Sequence, residues 1–275
     1  ADLTVHITGS NANGSLGRGT VEVTPGRKLN IANGVFEIPD THLKPSPAHT
    51  RFRLDGAVPA VAALLASPGL RDSVNVALDP GTSRGNVAAQ VMLDMPIGKN
   101  APDNATNYVV TADLTNFGAD NLMMGQKVEA SALRVSASND GYQVTGDIKL
   151  NGTPAAINLS KKKGTAESDL RLQANIDETA RRRLGIDFGG AVTGTIPVKV
   201  SAKLSDDGKD PPMSIEADLT PVKIDNLLPG WVKPAGRPAH ATYTLTKTPQ
   251  ATHIDDLVIA GSGANVRGSV ELDGS

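Results

Sequence analysis

One stretch of the chain matches a nucleophile motif: residues 81–85 read GTSRG and fit the G-x-S-x-G pattern, with Ser83 at its centre. In serine hydrolases a strand precedes this motif and a helix follows it, so that a sharp turn exposes the hydroxyl. Here residues 86–97 alternate between apolar and polar side chains, as a strand does. We therefore interpret Ser83 as part of a turn between strands and expect no catalytic residue; a Ser83 hydrolase is the least favoured alternative.

The histidines and carboxylates show no spacing typical of a metal site. No two histidines form H-x-x-x-H, and the calcium-loop pattern D-x-[DN]-x-[DN]-G is absent. The chain has no cysteine, which excludes disulfides and thiolate ligands. We therefore predict no metal and no cofactor. The histidines are His6, His42, His49, His240 and His253.

Two basic runs, 161–163 (Lys) and 181–183 (Arg), are the strongest local charges. We interpret them as a solvated turn and as the C-terminal half of a helix, where positive charge suits the helix dipole. Contact with anionic phospholipid headgroups is the alternative. The whole chain has a net charge of −2, so nothing favours nucleic acid as a partner.

Apolar and polar side chains alternate with a period of two residues along most of the chain, and the elements they predict must position any functional site. In 192–204, one face holds Val192, Ile196, Val198, Val200, Ala202 and Leu204. Such a pattern predicts half-buried strands. Asn-Gly and Asp-Gly pairs suggest tight hairpin turns, so we predict a long antiparallel meander. These pairs are Asn13-Gly14, Asn33-Gly34, Asp140-Gly141, Asn151-Gly152 and Asp207-Gly208.

Helical signals are few. Residues 58–69 carry apolar residues at helical spacing. In 176–185, Asp177 suits the N-cap and Gly185 suits the C-terminal end. For residues 224–230 we predict one short helical turn capped by Asp225. Two or three short helices cannot cover so many strands, so the apolar face must pack on another sheet, close into a barrel or form an open groove.

Several stretches resemble AsmA-like bacterial envelope proteins of the YhdP-type subgroup. The most specific is DNLLPGWVKPAG, within 214–245, which contains the chain's one tryptophan, Trp231. The strands alone would match many β proteins. The other matching stretches are 35–40, 52–70, 110–159, 177–204 and 255–274.

The resemblance implies a fold and a function. Proteins of this subgroup are similar to bridge-like lipid transfer proteins built from repeating β-groove modules, with an inner-membrane helix and a long periplasmic body. They are implicated in moving phospholipid toward the outer membrane of Gram-negative bacteria. We expect residues 1–275 to be one continuous β-groove segment of a longer, membrane-anchored periplasmic protein. Weak repeat boundaries are expected near 57–69 and 176–190, and the expected partners are phospholipid acyl chains and other envelope proteins at each end.

The prediction is therefore an all-β fold with two or three short helices, in which a long curled antiparallel sheet forms a taco-like half-barrel. Its apolar face would bind phospholipid acyl chains, without enzymatic activity. A dry β-sandwich serving as a scaffold or protein-interaction module is the alternative, since both hide one face. The predicted lining residues are Val87, Val91, Leu93, Val110, Leu114, Val144, Ile148, Ile196, Val198, Val200, Leu204, Ile215, Leu245 and Val270. The predicted cover of the groove consists of Leu227, Leu228 and Trp231.

Overall fold

The computed structural model contains mostly β-structure and two short helices. It describes residues 2–68, 70, 78–99, 101–102, 105–123, 125–184, 186, 188–205, 210–227, 230–248 and 250–273. The helices are α1 (Val58–Leu65) and α2 (Glu178–Arg183). The strands are β1 (Leu3–Thr8), β2 (Asn11–Thr24), β3 (Arg27–Ile38), β4 (Ser46–Ala57), β5 (Ser83–Ile97), β6 (Asn107–Met123), β7 (Gln126–Ser138), β8 (Gly141–Leu150), β9 (Thr153–Lys162), β10 (Glu167–Ile176), β11 (Val192–Thr193), β12 (Ile196–Ser205), β13 (Met213–Asp218), β14 (Lys223–Asp225), β15 (Val232–Lys233), β16 (Ala239–Lys247), β17 (Ala251–Gly261) and β18 (Ala264–Asp273).

Fifteen of these strands form one antiparallel sheet in the order β1 to β10, then β12, β13, β16, β17 and β18. Strands β11, β14 and β15 form a separate three-stranded sheet. The long sheet has two edges, β1 and β18, and is not closed on itself. The predicted all-β fold with a long antiparallel meander is confirmed, and the open strand order is consistent with a curled groove.

The chain divides into two units by its internal contacts. The first comprises residues 1–147 and 161–164, and the second comprises 148–160 and 165–275. The helices α1 and α2 fall within the segments 57–69 and 176–190, where we expect weak repeat boundaries. That interpretation of the two segments stays a prediction.

Two of the five hairpin signals are not turns. Asn13-Gly14 lies inside β2, and Asn33-Gly34 lies inside β3. Asn33 has a φ of 53°, and the register between β3 and β4 shifts between Ala32 and Val35. An asparagine tolerates positive φ in a bulge as well as in a turn, so the dipeptide alone did not distinguish the two. Asn151-Gly152 does form a turn, whereas Asp207-Gly208 lies outside the described residues.

Two further expectations about local structure need correction. Val192 does not belong to the strand of Ile196, because β11 ends at Thr193 and pairs in the three-stranded sheet. Asp225 does not cap a helical turn: it ends strand β14 and pairs with Val232. In both places the chain leaves the long sheet and pairs with another connection, which period-two alternation cannot reveal.

The helices begin as the sequence predicts. The Oδ1 of Asp177 accepts a hydrogen bond of 2.7 Å from the backbone N–H of Ala180, so Asp177 caps α2. Helix α1 has no side-chain cap but begins with Pro59 in its first turn, where a missing N–H costs nothing. The predicted helix end at Gly185 lies outside the described residues.

Candidate functional site: an apolar sheet face and its cap

The registers of the second unit place the predicted lining residues on one face. Leu172, Val200, Ile215 and Tyr243 are consecutive partners across β10, β12, β13 and β16. Side chains two residues apart on a strand share a face, so the rest of the predicted set in this unit lies on the same side. The residues placed there are Ile196, Val198, Val200, Leu204, Ile215, Leu245 and Val270, the last through its pairing with Ile254.

The first unit shows the same arrangement. Val87 pairs with Leu114, and Val91 pairs with Val110, so these four side chains and Leu93 share one face. The two remaining predicted lining residues lie on β8, where Val144 is half-buried and Ile148, the first residue of the second unit, is buried. Across β4, β5 and β6 the residues on this face are uncharged. They are Ala48, Thr50, Phe52, Leu54, Gly56, Val87, Ala89, Val91, Leu93, Met95, Tyr108, Val110, Ala112 and Leu114.

Two connections of the second unit meet at one end of this face. Because β10, β12, β13 and β16 are successive antiparallel strands, the connection from β10 to β12 and the one from β13 to β16 leave the same end of the sheet. The first contains α2 and β11, and the second contains β14 and β15. Val192 of β11 pairs with Ile224 of β14, which pairs with Lys233 of β15. We call this three-stranded sheet, with Leu219, Val222, Leu227 and Trp231, the cap.

The cap packs on the end of the sheet from which its two connections leave. Val222 and Ile224 are almost fully buried, at 0% and 1% exposure. They belong to one apolar cluster with strands β12 and β16. The buried members of this cluster are Val192, Ile196, Leu219, Val222, Ile224, Trp231, Ala239 and Ala241, and the half-buried members are Val198, Ala217, Leu227, Ile259 and Ala264.

Trp231 lies inside this cluster, 8% exposed. Its indole Nε1 donates a hydrogen bond of 3.2 Å to the carbonyl oxygen of Ser262, in the turn between β17 and β18. The Oγ of Ser262 in turn donates to the carbonyl of Pro238 at 3.1 Å. The tryptophan therefore buries its ring, satisfies its one polar atom and ties the cap to a third connection at the same end. Of the other predicted cover residues, Leu227 is in the cluster and Leu228 lies outside the described residues.

A buried lysine, Lys233, donates hydrogen bonds to backbone carbonyls inside the cap. Lys233 is 0% exposed, and its Nζ donates to the carbonyl oxygens of Val222 at 2.7 Å, Pro234 at 3.2 Å and Thr220 at 3.3 Å. Burial lowers the pKa of this ammonium, and the charge of Asp218 opposes that shift. All three hydrogen bonds of the ammonium go to backbone carbonyls of the connection between β13 and β16.

Arg181 donates hydrogen bonds to backbone carbonyls in the same way, in the connection from β10 to β12. It is 3% exposed, and its guanidinium donates to the carbonyl oxygens of Gly194 at 2.8 Å, Val192 at 2.9 Å and Ile176 at 3.2 Å. The prediction that residues 181–183 form the C-terminal half of a helix is confirmed, although the sequence did not indicate that Arg181 is buried. Its neighbour Arg182 is exposed and pairs with Glu178.

Sequence reasoning missed both buried cations. In the strand β15 the usual hydropathy order is inverted, because Val232 is 60% exposed and Lys233 is fully buried. An apolar–polar pattern would place these two side chains the other way round. For Lys233 and Arg181 the sequence carries no signal of burial, since their partners are backbone carbonyls that only the tertiary structure brings together.

At the other end of the second unit's face, exposure increases toward the edge strand β18. Leu245 and Ile254 are half-buried, and Val270 and Leu272 are 42% and 50% exposed, whereas Leu170 on β10 and Ala202 on β12 are 1% and 7% exposed. Burial also raises the pKa of Tyr243, which lies between the two ends on β16. The cap thus covers one end of the face, and at the other end the face is accessible to solvent on β16 to β18.

In the first unit, helix α1 covers part of the equivalent face. It packs on β5, β3, β2 and β4 and buries Val58, Ala60, Ala62 and Ala63. Leu29, on β3, is 1% exposed. Small aliphatic side chains let the helix approach the strands closely.

Ser83 does not lie at a nucleophile elbow. It is the first residue of β5, so a strand and not a helix follows it, and it is 7% exposed. Its Oγ has no hydrogen-bond partner among the described residues.

Across all the residues that the structure describes, no three His, Asp or Glu side chains lie close enough together to hold a metal ion. No described helix is long and apolar enough to span a membrane.

Comparison with known proteins found no matching family model, no similar curated protein and no similar solved structure.

Proposed function

We propose that this chain binds phospholipid through its acyl chains on the apolar face and conducts it between the inner and outer membranes of a Gram-negative envelope, without chemistry. The observation that supports this proposal is an aliphatic face that crosses many strands and is solvent-accessible on β16 to β18 at the end that the cap leaves uncovered. The rows set by Leu172–Tyr243 and by Leu245–Val270 contain no charged side chain. An accessible apolar surface of this kind is typical of a binding site.

The chemistry of this face suits an acyl chain. Hydrocarbon has no hydrogen bonds to satisfy, so Val, Ile, Leu and Ala are sufficient contacts. Burial of each methylene is worth about 0.8 kcal/mol, which favours the face over water even for a short chain segment. A lining without deep polar pockets also leaves lipid free to slide, while the headgroup stays in water.

The resemblance to AsmA-like proteins of the YhdP-type subgroup supports the wider context. In this proposal the segment belongs to a periplasmic body whose full-length protein is anchored in the inner membrane. Its partners are phospholipid acyl chains and other envelope proteins at each end, and it has no catalytic residue or cofactor. The cover formed by Leu227 and Trp231 is part of the same proposal.

The proposal is tested by extracting the purified protein and measuring bound phospholipid by mass spectrometry. We expect phospholipid to co-purify and to be exchanged for a fluorescent phospholipid. A protein that is reproducibly lipid-free and also takes up no fluorescent or photo-crosslinkable phospholipid would contradict it.

The alternative function is a dry scaffold, and the apolar cluster under the cap favours it, since that cluster resembles an ordinary core. An aspartate in place of an apolar side chain distinguishes the two functions only outside this cluster. Val198 packs against the cluster, so Val198→Asp should destabilise the fold in either case. Leu245→Asp is decisive: a dry core should lose several kcal/mol, roughly the 2–7 range for an unpaired polar group. A lipid-binding face should keep its stability and lose lipid.

A further inference from the structure

We infer that the cap is a fixed stop, which confines acyl chains to the uncovered end of the second unit's apolar face. This inference rests on the proposed function. The covered end is defined by residues under the cap, Ile196, Val198, Ala217, Ala241 and Ile259. The open end is defined by residues on the same strands, Leu204, Met213, Leu245 and Ile254, and by Val270 on β18.

The two ends differ in access and not in chemistry. Ala241 and Leu245 lie on the same face of β16, four residues apart, which is roughly 13 Å along a strand. Ala241 is buried among cap residues, whereas Leu245 is half-buried and outside the cluster. Both ends offer aliphatic side chains to a hydrocarbon, so only the cap can make one of them unavailable.

Several contacts hold the cap in place. The backbone N–H of Asp225 donates to Ala191 at 2.8 Å, which joins the two connections beside the β11–β14 pairing. The N–H of Asn226 donates to the Trp231 carbonyl at 3.0 Å, and the N–H of Gly236 donates to Thr220 at 2.8 Å. The cap is therefore internally paired, in contrast to a loose loop lying on the sheet.

The buried cations make lifting the cap unfavourable. Moving β15 away from the Val222 carbonyl would separate the buried Lys233 ammonium from its acceptors, and a buried charged donor that loses its partner is costly. Moving β11 away from α2 would do the same to Arg181. An acyl chain offers only apolar contact and accepts no hydrogen bond from these groups. The cap thus stays closed while lipid occupies the open end.

The test uses the wild-type protein loaded with a phospholipid whose acyl chain carries a photoreactive diazirine. After illumination, peptide mass spectrometry locates the adducts on each strand. We expect adducts at the open-end residues to exceed those at the covered-end residues of the same strands by at least about tenfold. Comparable labelling at both ends would overturn the fixed stop and leave the proposed function standing. Labelling at neither end would contradict the proposed function, and the inference with it.

A pair of variants tests whether the cap is responsible. Trp231→Ala removes the ring that joins the cap to the β17–β18 turn, and we expect adducts to extend several-fold toward the covered end. Val232→Ala is the matched control, because the Val232 side chain, next to Trp231 in the sequence, is 60% exposed. The adduct pattern of this variant should equal that of wild type. A folded Trp231→Ala protein with adducts still confined to the open end would overturn the role given to the cap.

Discussion

The two covers of the apolar face, α1 in the first unit and the cap in the second, solve the same problem with different chemistry. Helix α1 makes part of its backbone hydrogen bonds internally and contributes four buried aliphatic residues, Val58, Ala60, Ala62 and Ala63. The cap consists of strands two or three residues long. Lys233 and Arg181 donate side-chain hydrogen bonds to its backbone carbonyls.

The difference shows what a chain needs in order to cover a sheet with irregular backbone. Buried carbonyls must be hydrogen-bonded, and the backbone of a helix supplies part of these bonds without side chains. In the short-stranded cover, long cationic side chains reach several acceptors at once. The first cover should therefore be sensitive to side-chain volume, and the second both to side-chain volume and to the loss of donors. The predictions below test this contrast, beginning with the largest effect.

Removing the tryptophan should have the largest effect on the cap. Trp231→Ala deletes a buried ring from the cluster, and we expect a loss of about 3–5 kcal/mol in the free energy of unfolding, as for other buried aromatic residues. Chemical denaturation monitored by circular dichroism measures it.

Trp231→Phe is the control for this substitution. It keeps most of the ring and loses the bond from Nε1 to Ser262, so its cost should be about 0.5–1.5 kcal/mol. A Phe variant as unstable as the Ala variant would mean that the hydrogen bond, and not burial, holds the cap.

Enlarging a buried alanine should disrupt the helical cover. Ala62 is 1% exposed, so Ala62→Leu forces methyl groups into packed space and should cost about 1–3 kcal/mol. Ala66, at the end of the same helix, is exposed, and Ala66→Leu should change stability by less than about 0.5 kcal/mol. Equal effects of the two substitutions would show that the helix is not packed by volume.

Replacing the buried ammonium by a group of similar length should loosen the cap. Lys233→Met keeps the apolar stem but removes the ammonium from three backbone carbonyls, of which that of Thr220 still accepts from the N–H of Gly236. We expect a loss of about 1–3 kcal/mol. Lys223→Met is the control, since that lysine on β14 is exposed. A Lys233→Met protein as stable as wild type would show that the carbonyls find other donors.

The smallest effect concerns alkaline pH. Burial lowers the pKa of Lys233 in the folded state, whereas the unfolded value stays near the ordinary value of about 10.4. Between these two pKa values the unfolded chain binds more protons at this group, so the group adds stability as the pH rises. The difference in unfolding free energy between wild type and Lys233→Met should therefore grow as the pH rises toward the pKa of Lys233 in the unfolded chain. A constant difference would contradict a lowered pKa.

Much of the fold could be predicted from the sequence, because it depends on local periodicity. Leu172, Val200 and Ile215 share a face since each strand alternates with a period of two. Asp177 caps α2 through a contact only three residues away.

The candidate site could be predicted only in part. Leu245 and Ile196 have the same kind of pattern in the sequence, yet one lies at the accessible end and the other under the cap. Residues 224–230 read as a helical turn because Asp225 precedes two leucines. The pairing of β14 with β11 and β15 decides their structure, and Val192 of β11 and Ile224 of β14 lie far apart in the sequence.

The sequence by itself determined the alternating strands, the two helices and the aliphatic nature of one sheet face, since each of these depends on neighbours a few residues away. Only the tertiary structure decided which part of that face is covered. It also decided that Lys233 is buried while Val232 is exposed. The physical reason is that the partners of Lys233 are backbone carbonyls, which every residue carries and which no side-chain pattern reveals.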